Sequence, residues 1–586
     1  MKNTLKITRV ETDLLILGGG SAGLWAAHRF AECMPGRRIC IVDKGPRDWG
    51  GLMAMAGGDF EAVLPPDTVD DWLEDLVYYF DGLCDQPLME AILSRSAERM
   101  RDYERFGCEF FRTPDGNLRS VPQRGLPHVR LYPARVKGRG GELMAKSLVA
   151  RLKDAGVTRM GRIMLTDYLA RDGRVIGAAG FHCVSGEAYI FHAGAVIAAT
   201  GMGGWKTSYG KNTPTGEGLR MAFAAGAELQ DLEFARVWNM PRLFAWEGQT
   251  HLFPLGARFV NRMGENFMSR YSPVLGPNTD PHFTTVGMAL EIRAGRGPII
   301  FDVSPLRDED MVLLKPQTGW QKLNYEKLCG LGLDLFKNNT EWVPQMTVSH
   351  GGIRTEIDGS TAVAGLFAAG TARSLEPGVY AGGFALMTTA VTGHMVGETA
   401  AAWLRNADAA PAPDEAEAEA LLERAFAPLG REGADRLTPK QVLTGIQTAV
   451  FPHDVSIVKN GPALERALAE IRRIREEDVP RMAAADPHYL LKLHEVVSVA
   501  FVSELFVRAS LERKESRAGH FREDFPHPDP AGPAWLLVRH GADGRPVFAR
   551  ERVPLEKWRV PLTRCYQDNF AFVERKAAGN VQDRPS

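Results

Sequence analysis

Gly18, Gly20 and Gly23, in the run GGGSAG, hold the spacing of a turn that lets the main chain approach a diphosphate closely. Glycine permits the tight turn, and the free N–H groups and positive end of a following helix meet the phosphate charge. Ser21 and Ala22 complete the turn. Asp43, about 20 residues beyond the last glycine, is placed to accept hydrogen bonds from ribose hydroxyls, with Lys44 beside it. The motif serves a dinucleotide and does not choose between NAD and FAD. A second chemical feature is the run in which Arg119, Arg124, His128, Arg130, Arg135, Lys137 and Arg139 stand among few acids and lead into Gly140-Gly141. It suits an anionic substrate or partner, or a solvated surface, the commoner use of such a run. The seven cysteines are scattered, odd in number and never spaced as C-x-x-C, so no disulfide framework, zinc site or iron–sulfur cluster is signalled.

These residues need elements to hold them. Thr12–Leu17 reads as a buried strand, Leu24–Ala31 as the helix after the turn, and Arg38–Val42 as a second strand ending at Asp43. Ala193–Gly204 is an apolar strand breaking into Thr200-Gly201; Gly365–Gly370 is another, followed by Gly382-Gly383 and an apolar helix from Phe384. Residues 412–525 carry helical periodicity, Ala407–Ala420 has the composition of a linker, and Trp535–Arg539 with Arg545–Arg550 form a hairpin around Gly541 and Gly544. A chain of 586 residues exceeds one core, and at roughly 150 residues per domain it divides into about three or four units. Lys plus Arg (70) balance Asp plus Glu (72), so no global field marks a nucleic-acid or membrane partner. No leader is visible and no apolar run approaches the ~18 residues of a spanning helix; with the cysteine pattern, a cytoplasmic, reducing location is expected.

The separated glycine turns resemble those of two-dinucleotide-binding-domain flavoproteins, and this resemblance selects FAD. There the Ala-Thr-Gly turn passes beneath the nucleotide half, and the late glycine turn, here Gly370 and Gly383 with Ala385 and Leu386, reaches the flavin end. More specifically, Trp49–Phe60 (WGGLMAMAGGDF), Asn212–Gly218 (NTPTGEG), Glu291–Asp302, His350–Thr355 (HGGIRT) and Leu511–Pro526 (LERKESRAGHFREDFP) resemble the fumarate reductase and succinate dehydrogenase flavoproteins. The resemblance places Gly57-Gly58 against the isoalloxazine and puts Glu217 where the family has an aspartate. It implies an α/β fold of two-dinucleotide-binding-domain (Rossmann-like) type, with an FAD domain at 1–235 and 349–405, an inserted capping domain at 236–348, a helical domain at 412–525 and a hairpin and tail at 526–586.

The departures from that family bear on substrate. Its dicarboxylate-clamping histidines fall near Trp238 and at Thr347, its proton-donating arginine near Pro281, and its second arginine at about Tyr380, so the clamp is absent and succinate or fumarate is not the expected substrate. Gly50-Gly51-Leu52 stand where a covalent flavin link uses a histidine, which implies noncovalent FAD. The departures resemble adenylylsulfate reductase, which also has a histidine beside the glycines at the place of His350. His350, Arg236 and Trp238 are therefore the catalytic candidates: a proton carrier beside the flavin, an anion ligand and a stacking surface, with His282 behind them. Three functions compete. One is an enzyme moving a hydride between a small polar or anionic substrate and a separate iron–sulfur protein, a class that includes an adenylylsulfate-reductase-like flavin subunit. The others are an L-aspartate-oxidase-like enzyme and a flavin-free scaffold.

Overall fold

The computed structural model describes residues 6–570 apart from 49, 124, 136–138, 208–211, 244–249, 308–318, 338–339, 380 and 434. Trp49, Arg124, Lys137 and Tyr380 thus lie outside the described residues. Strands are numbered along the chain. The principal sheet is built from β1 (Ile7–Leu17), β2 (Ile39–Asp43), β6 (Thr158–Gly161), β7 (Ile163–Arg171), β8 (Arg174–His182), β9 (Ala188–Ala198) and β16 (Leu366–Ala368). Its order is β6-β2-β1-β9-β8-β7, with β16 also pairing to β9.

The centre of this sheet is parallel: Leu17 is paired with both Val42 and Ala198, and Ala198 with Ala368. Parallel strands carry helices on both faces, and so Leu14–Leu17, Ile39–Val42 and Val196–Ala198 are continuous apolar runs, all buried. The carboxyl ends of β1, β2, β9 and β16 meet at one edge, the place where open α/β sheets leave a crevice. Helix Ser21–Cys33 leaves that edge immediately and packs on helix Phe384–Asn406. Contact is close because a Cβ on Gly393 or Gly397 would stand 2.4 Å from the carbonyl oxygen of Ala22 or Ala26. Two ends of the chain's nucleotide fold are therefore joined through backbone.

A second sheet comprises β11 (Ala235–Pro241), β12 (Arg258–Val260), β13 (Ile299–Asp302) and β14 (Glu341–Ser349), in the order β11-β14-β13-β12. Helix Pro281–Arg293 packs on β11 and β14; Asp280 caps it, accepting from the His282 and Phe283 N–H groups at 2.8 and 3.3 Å. A third sheet joins β3 (Asp59–Glu61), β4 (Val121–Gln123) and β5 (Leu126–Pro133). In a fourth, β10 (Leu229–Gln230) lies between β15 (Gly352–Ile353) and the hairpin of β17 (Ala534–His540) and β18 (Pro546–Arg552).

Helices between Glu415 and Glu512 follow, the longest being Pro487–Glu512. The expected linker at Ala407–Ala420 is only half irregular. Asp414 caps a helix Glu415–Phe426, whose Glu415 and Glu419 are held by Arg9, because alanine and glutamate are good helix formers. Among the described residues no helix is long and apolar enough to cross a membrane.

Candidate functional site

At the sheet's carboxyl edge the glycines play two different parts. Gly18 has φ +107°, and a Cβ there would stand 2.3 Å from the Ala199 oxygen; one on Gly23 would stand 2.0 Å from the Gly18 oxygen. These two are required by the protein's own packing. A Cβ on Gly20, by contrast, would meet nothing within 4 Å, so the backbone there faces open space at the start of helix Ser21–Cys33. Thr200 lies against the same turn, its hydroxyl buried without a hydrogen-bond partner and 1.9 Å from where a Cβ on Gly218 would stand. Asp43 accepts from the N–H groups of Gly19 and Gly45, each at 2.6 Å. A carboxylate oxygen has further lone-pair capacity, so both oxygens can still receive ribose hydroxyls. An open glycine at a helix N-terminus, an unpartnered hydroxyl and an oriented carboxylate fit the nucleotide half of FAD.

Lys44 and Glu217 spend their charges on one another. The Lys44 ammonium donates to Glu217 Oε1 at 2.7 Å, Thr215 Oγ1 at 2.8 Å and Glu495 Oε1 at 3.0 Å, while Lys206 reaches Glu495 Oε2 at 2.7 Å. Burial works against the charged ammonium, but the carboxylates of Glu217 and Glu495 outweigh it and hold Lys44 above its usual range. Glu495, from helix Pro487–Glu512, was not a sequence candidate.

The other glycine turns come to the same region. Gly51 presses on Gly20, its Cβ position being 2.9 Å from the Gly20 Cα; Leu52 follows in a short helical turn. A Cβ on Gly370 would stand 2.6 Å from that of Ala22, and one on Gly201 3.8 Å from Thr371 Oγ1. Gly383 (φ +90°) lies 3.0 Å, by the same measure, from the Asp59 oxygen, and precedes Ala385 and Leu386 in the first turn of its helix. Gly57 and Gly58 pack on Gly140, whose N–H bonds the Gly57 oxygen at 2.9 Å. Gly20, Gly201 and Gly383 therefore belong to one chain of contacts.

At the far end β14 runs out past the turn after Thr200: Ser349 N–H bonds Gly203 O at 2.9 Å and His350 N–H bonds Phe234 O at 3.0 Å. His350 is buried. Its Nδ1 is 3.5 Å from Glu376 Oε2, and its Nε2 has no partner. Burial first, then the positive charge of Arg236, pushes the imidazole well below its ordinary pKa. Arg236 sits opposite Val348 on β11, and Trp238, two residues on and buried, sits opposite Gln345. The structure thus brings Arg236 to His350 and places Trp238 further along the same strand.

His282 joins them more firmly than its sequence setting suggested. It is buried, neither ring nitrogen is bonded, and burial lowers its pKa to about 3. Sequence reasoning missed two carboxyls. Glu376 is buried and pushed up to about 7 by burial, with Arg236 opposing. Glu61 is fully buried in β3; its Oε1 accepts from Gln123 Nε2 at 2.8 Å and its Oε2 has no partner. The same Gln123 amide donates to the Gly382 oxygen. The available signal was weak: an acid inside the strand DFE and another before Pro377-Gly378. The basic run supplies little free charge, since Arg130, Arg135, Arg139 and His128 lie against Asp67, Glu109, Glu142 and Asp75. Arg373, the arginine preceding Tyr380, is buried on the Glu356 and Ile357 carbonyls.

Comparisons with known proteins agree with this geometry. An FAD binding domain matches residues 13–385, and the fumarate reductase flavoprotein C-terminal domain matches 448–565. One subunit of the fumarate reductase (CoM/CoB) of Methanothermobacter marburgensis is 29% identical over 90% of this chain and 97% of its own. The fumarate reductase flavoprotein subunit of Mycobacterium tuberculosis is 28% identical over 95% and 99%. A solved quinol-fumarate reductase superposes with TM-score 0.84 at 22% identity, covering 94% of this chain and 100% of that one. The adenylylsulfate reductase of Archaeoglobus fulgidus gives 0.77 at 20%, covering 94% and 96%. At such identities the two structures speak for the fold alone. With the glycine cradle, the matched domains and the full-length relatives together, the chain belongs to the FAD-dependent oxidoreductases of the fumarate reductase and succinate dehydrogenase flavoprotein family.

Proposed function

We propose that this enzyme exchanges a hydride between FAD and a small polar or anionic substrate other than succinate or fumarate, and exchanges the corresponding two electrons, one at a time, with a separate electron-transfer protein, for which an iron–sulfur subunit is the candidate. The carrying observation is the charge around His350, where Arg236 faces the buried carboxyl of Glu376 and Glu61 adds a second buried carboxyl beside it; the family resemblance, which puts Trp238, Pro281 and Thr347 at the clamp positions, supports the same reading. A dicarboxylate brought here would meet as much negative charge as positive, whereas a neutral polar group or a single anionic group can pair with Arg236. Several relatives are described as subunits, which supports a partner for the electrons.

FAD supplies a ring that takes or gives a hydride when bound. In this reading Gly18, Gly20, Ser21, Ala22 and Gly23 hold its diphosphate and Asp43 its ribose, while Thr200-Gly201 pass beneath the nucleotide half. Lys44 and Glu217 brace that half from behind. Gly57, Gly58, Gly370, Gly383, Ala385 and Leu386 border the flavin, with Gly51-Leu52 noncovalently against it. The sheet built from 236–348 covers the substrate, Arg236 and Trp238 orient it, and His350 handles its proton.

The test is anaerobic. Enzyme reduced with one equivalent of dithionite should stay reduced when fumarate is added, and re-oxidation by fumarate at catalytic rates would remove the substrate reading. A panel of small monoanionic and neutral polar donors should contain one that bleaches the 450 nm band. With that donor His350→Asn should slow bleaching by about 100-fold or more, with FAD still bound.

A further inference from the structure

His282, His350 and Glu61 are all buried, so a substrate reaches them only when a covering element moves. His282 stands in the first turn of helix Pro281–Arg293, which packs on β11 and β14 and so travels with the sheet built from 236–348. The start of that helix is fastened by the last described residues of the chain. Asp280 divides its carboxylate between two tasks: Oδ1 caps the helix, and Oδ2 accepts from the Tyr566 hydroxyl at 3.0 Å, with both residues buried. Phe570 stacks on Phe283, the neighbour of His282, with ring centroids 3.8 Å apart, and Ser272 Oγ donates to the Asn569 oxygen at 3.2 Å. At the helix's other end Arg293 pairs with Glu523 at 2.9 Å across exposed surface, a weaker tie.

The same segment is seated firmly on the FAD domain. The Tyr566 N–H donates to Asp81 Oδ1, and Asp81 Oδ2 accepts from the Ala518 N–H at 2.7 Å. Asn569 Nδ2 donates to the Tyr78 hydroxyl at 2.6 Å, and the Arg564 guanidinium lies over the Tyr78 ring, 4.1 Å from its centroid. Upstream, Val560 and the Gln86 amide exchange two hydrogen bonds, at 2.7 and 3.2 Å. Asp81 and Tyr78 therefore hold the segment through main chain and side chain together, whereas the helix is held by a hydroxyl and a ring face.

We propose that Arg564–Phe570 is a latch: seated on the FAD domain, it holds down the Asp280 end of helix Pro281–Arg293, and its release lets the sheet built from 236–348 carry His282 away from the site so that substrate enters. The proposal rests on the reading that this sheet covers the substrate. Release is close to all-or-none. Once Tyr566 lets go, Asp280 Oδ2 is buried and unpaired until water reaches it, so a half-raised helix costs more than either a latched or a fully open one. Closing brings His282 back to where its charge bears on His350, and the site is complete only with the latch engaged.

Hydrogen exchange on the full-length, FAD-loaded protein reads the latch without a substrate. Peptides covering 280–293 should exchange roughly tenfold faster or more in Tyr566→Phe, which keeps the ring and loses the bond to Asp280, and faster again when Phe570→Leu is added. Helices Ser21–Cys33 and Phe384–Asn406 should exchange at the parent rate. Parent-rate exchange over 280–293 in Tyr566→Phe overturns the proposal, and so does an acceleration spread evenly over the chain, which marks a general staple; if the double variant does not fold, the single change still decides. With a donor that bleaches the parent flavin, Tyr566→Phe should bleach more slowly at saturation because the closed state is less populated. Selective exchange with unchanged bleaching at every donor concentration overturns the proposal by another route, since the helix then moves without gating the substrate. A panel without any bleaching donor counts against the substrate reading alone, and the exchange result still decides the latch.

Discussion

At the nucleotide end the protein meets itself: the positions a Cβ would take on Gly18, Gly23 and Gly218 lie 1.9 to 2.3 Å from other protein atoms, and both oxygens of Asp43 are held by backbone N–H groups. At the substrate end the buried atoms do not meet. His350 Nε2, both nitrogens of His282 and Glu61 Oε2 have no hydrogen-bond partner. Buried polar groups are normally paired, and leaving one unpaired costs about 1–3 kcal/mol; at the nucleotide end the buried atoms in that state are the hydroxyls of Ser21 and Thr200, whereas at the substrate end they belong to titratable side chains. The difference separates two tasks. Binding a diphosphate common to many proteins is done by backbone shape, whereas acting on one substrate is done by side chains kept in readiness for it.

The sharpest way to break this contrast is a pair of alanine substitutions two residues apart. Gly18→Ala adds a Cβ at φ +107° and 2.3 Å from a carbonyl oxygen, and strain plus overpacking of this kind each cost about 1–3 kcal/mol. It should lower the unfolding midpoint and abolish FAD retention. Gly20→Ala adds a Cβ at ordinary φ, −78°, into space the protein leaves open. The apoprotein should unfold at the parent denaturant concentration and yet lose most of its 450 nm absorbance after gel filtration. If Gly20→Ala binds FAD normally, that open space is not the diphosphate cradle.

A smaller effect is expected where the two styles meet, at Lys44. Its ammonium serves Glu217 and Glu495 together, both largely buried. Removing one partner of a buried pair leaves an uncompensated charge, at about 3–5 kcal/mol. Lys44→Met should therefore cost stability of this order in urea unfolding, and Lys44→Met combined with Glu495→Gln should cost less than the two single changes added. Strict additivity would mean the charges are not coupled.

Legibility followed the same division. Strand, glycine turn, helix and Asp43 could be read from the letters because each step depends on neighbours a few residues away, and the helix from Phe384 and the closing hairpin announced themselves by periodicity and turn glycines. Lys44 was noticed, but its partner Glu495 is 451 residues distant, and nothing local marks an acid in helix Pro487–Glu512 as reaching a nucleotide turn. Glu376 reads locally as a loop acid before Pro-Gly, and Glu61 as a strand residue. Their meaning arises only when β3, β14 and the segment after β16 converge. His282 was underrated for the same reason, since the helix that carries it packs on β11 and β14, both distant in sequence.

His282 offers the finest test of whether the substrate end is held in readiness at an energetic cost. Its folded pKa, about 3, lies below the ordinary 6.5, so the folded protein binds fewer protons than the unfolded chain between those values. The stability tied to its neutral ring is therefore fully present above pH 6.5 and is lost progressively as pH falls toward 3. Glu376 works the other way: raised to about 7 from 4.5, it favours the folded state increasingly as pH falls through that window. The second contribution is common to the parent and to His282→Leu and subtracts out when they are compared. Urea unfolding at pH 7.5 and 5.5 should then show the variant losing less stability over that interval than the parent, by about 1 kcal/mol, the linkage of one proton over one pH unit. Equal losses in the two proteins would mean that His282 is already paired or protonated in the folded state, and the contrast between a nucleotide end shaped by backbone and a substrate end of buried titratable groups would narrow to His350 and its carboxyls.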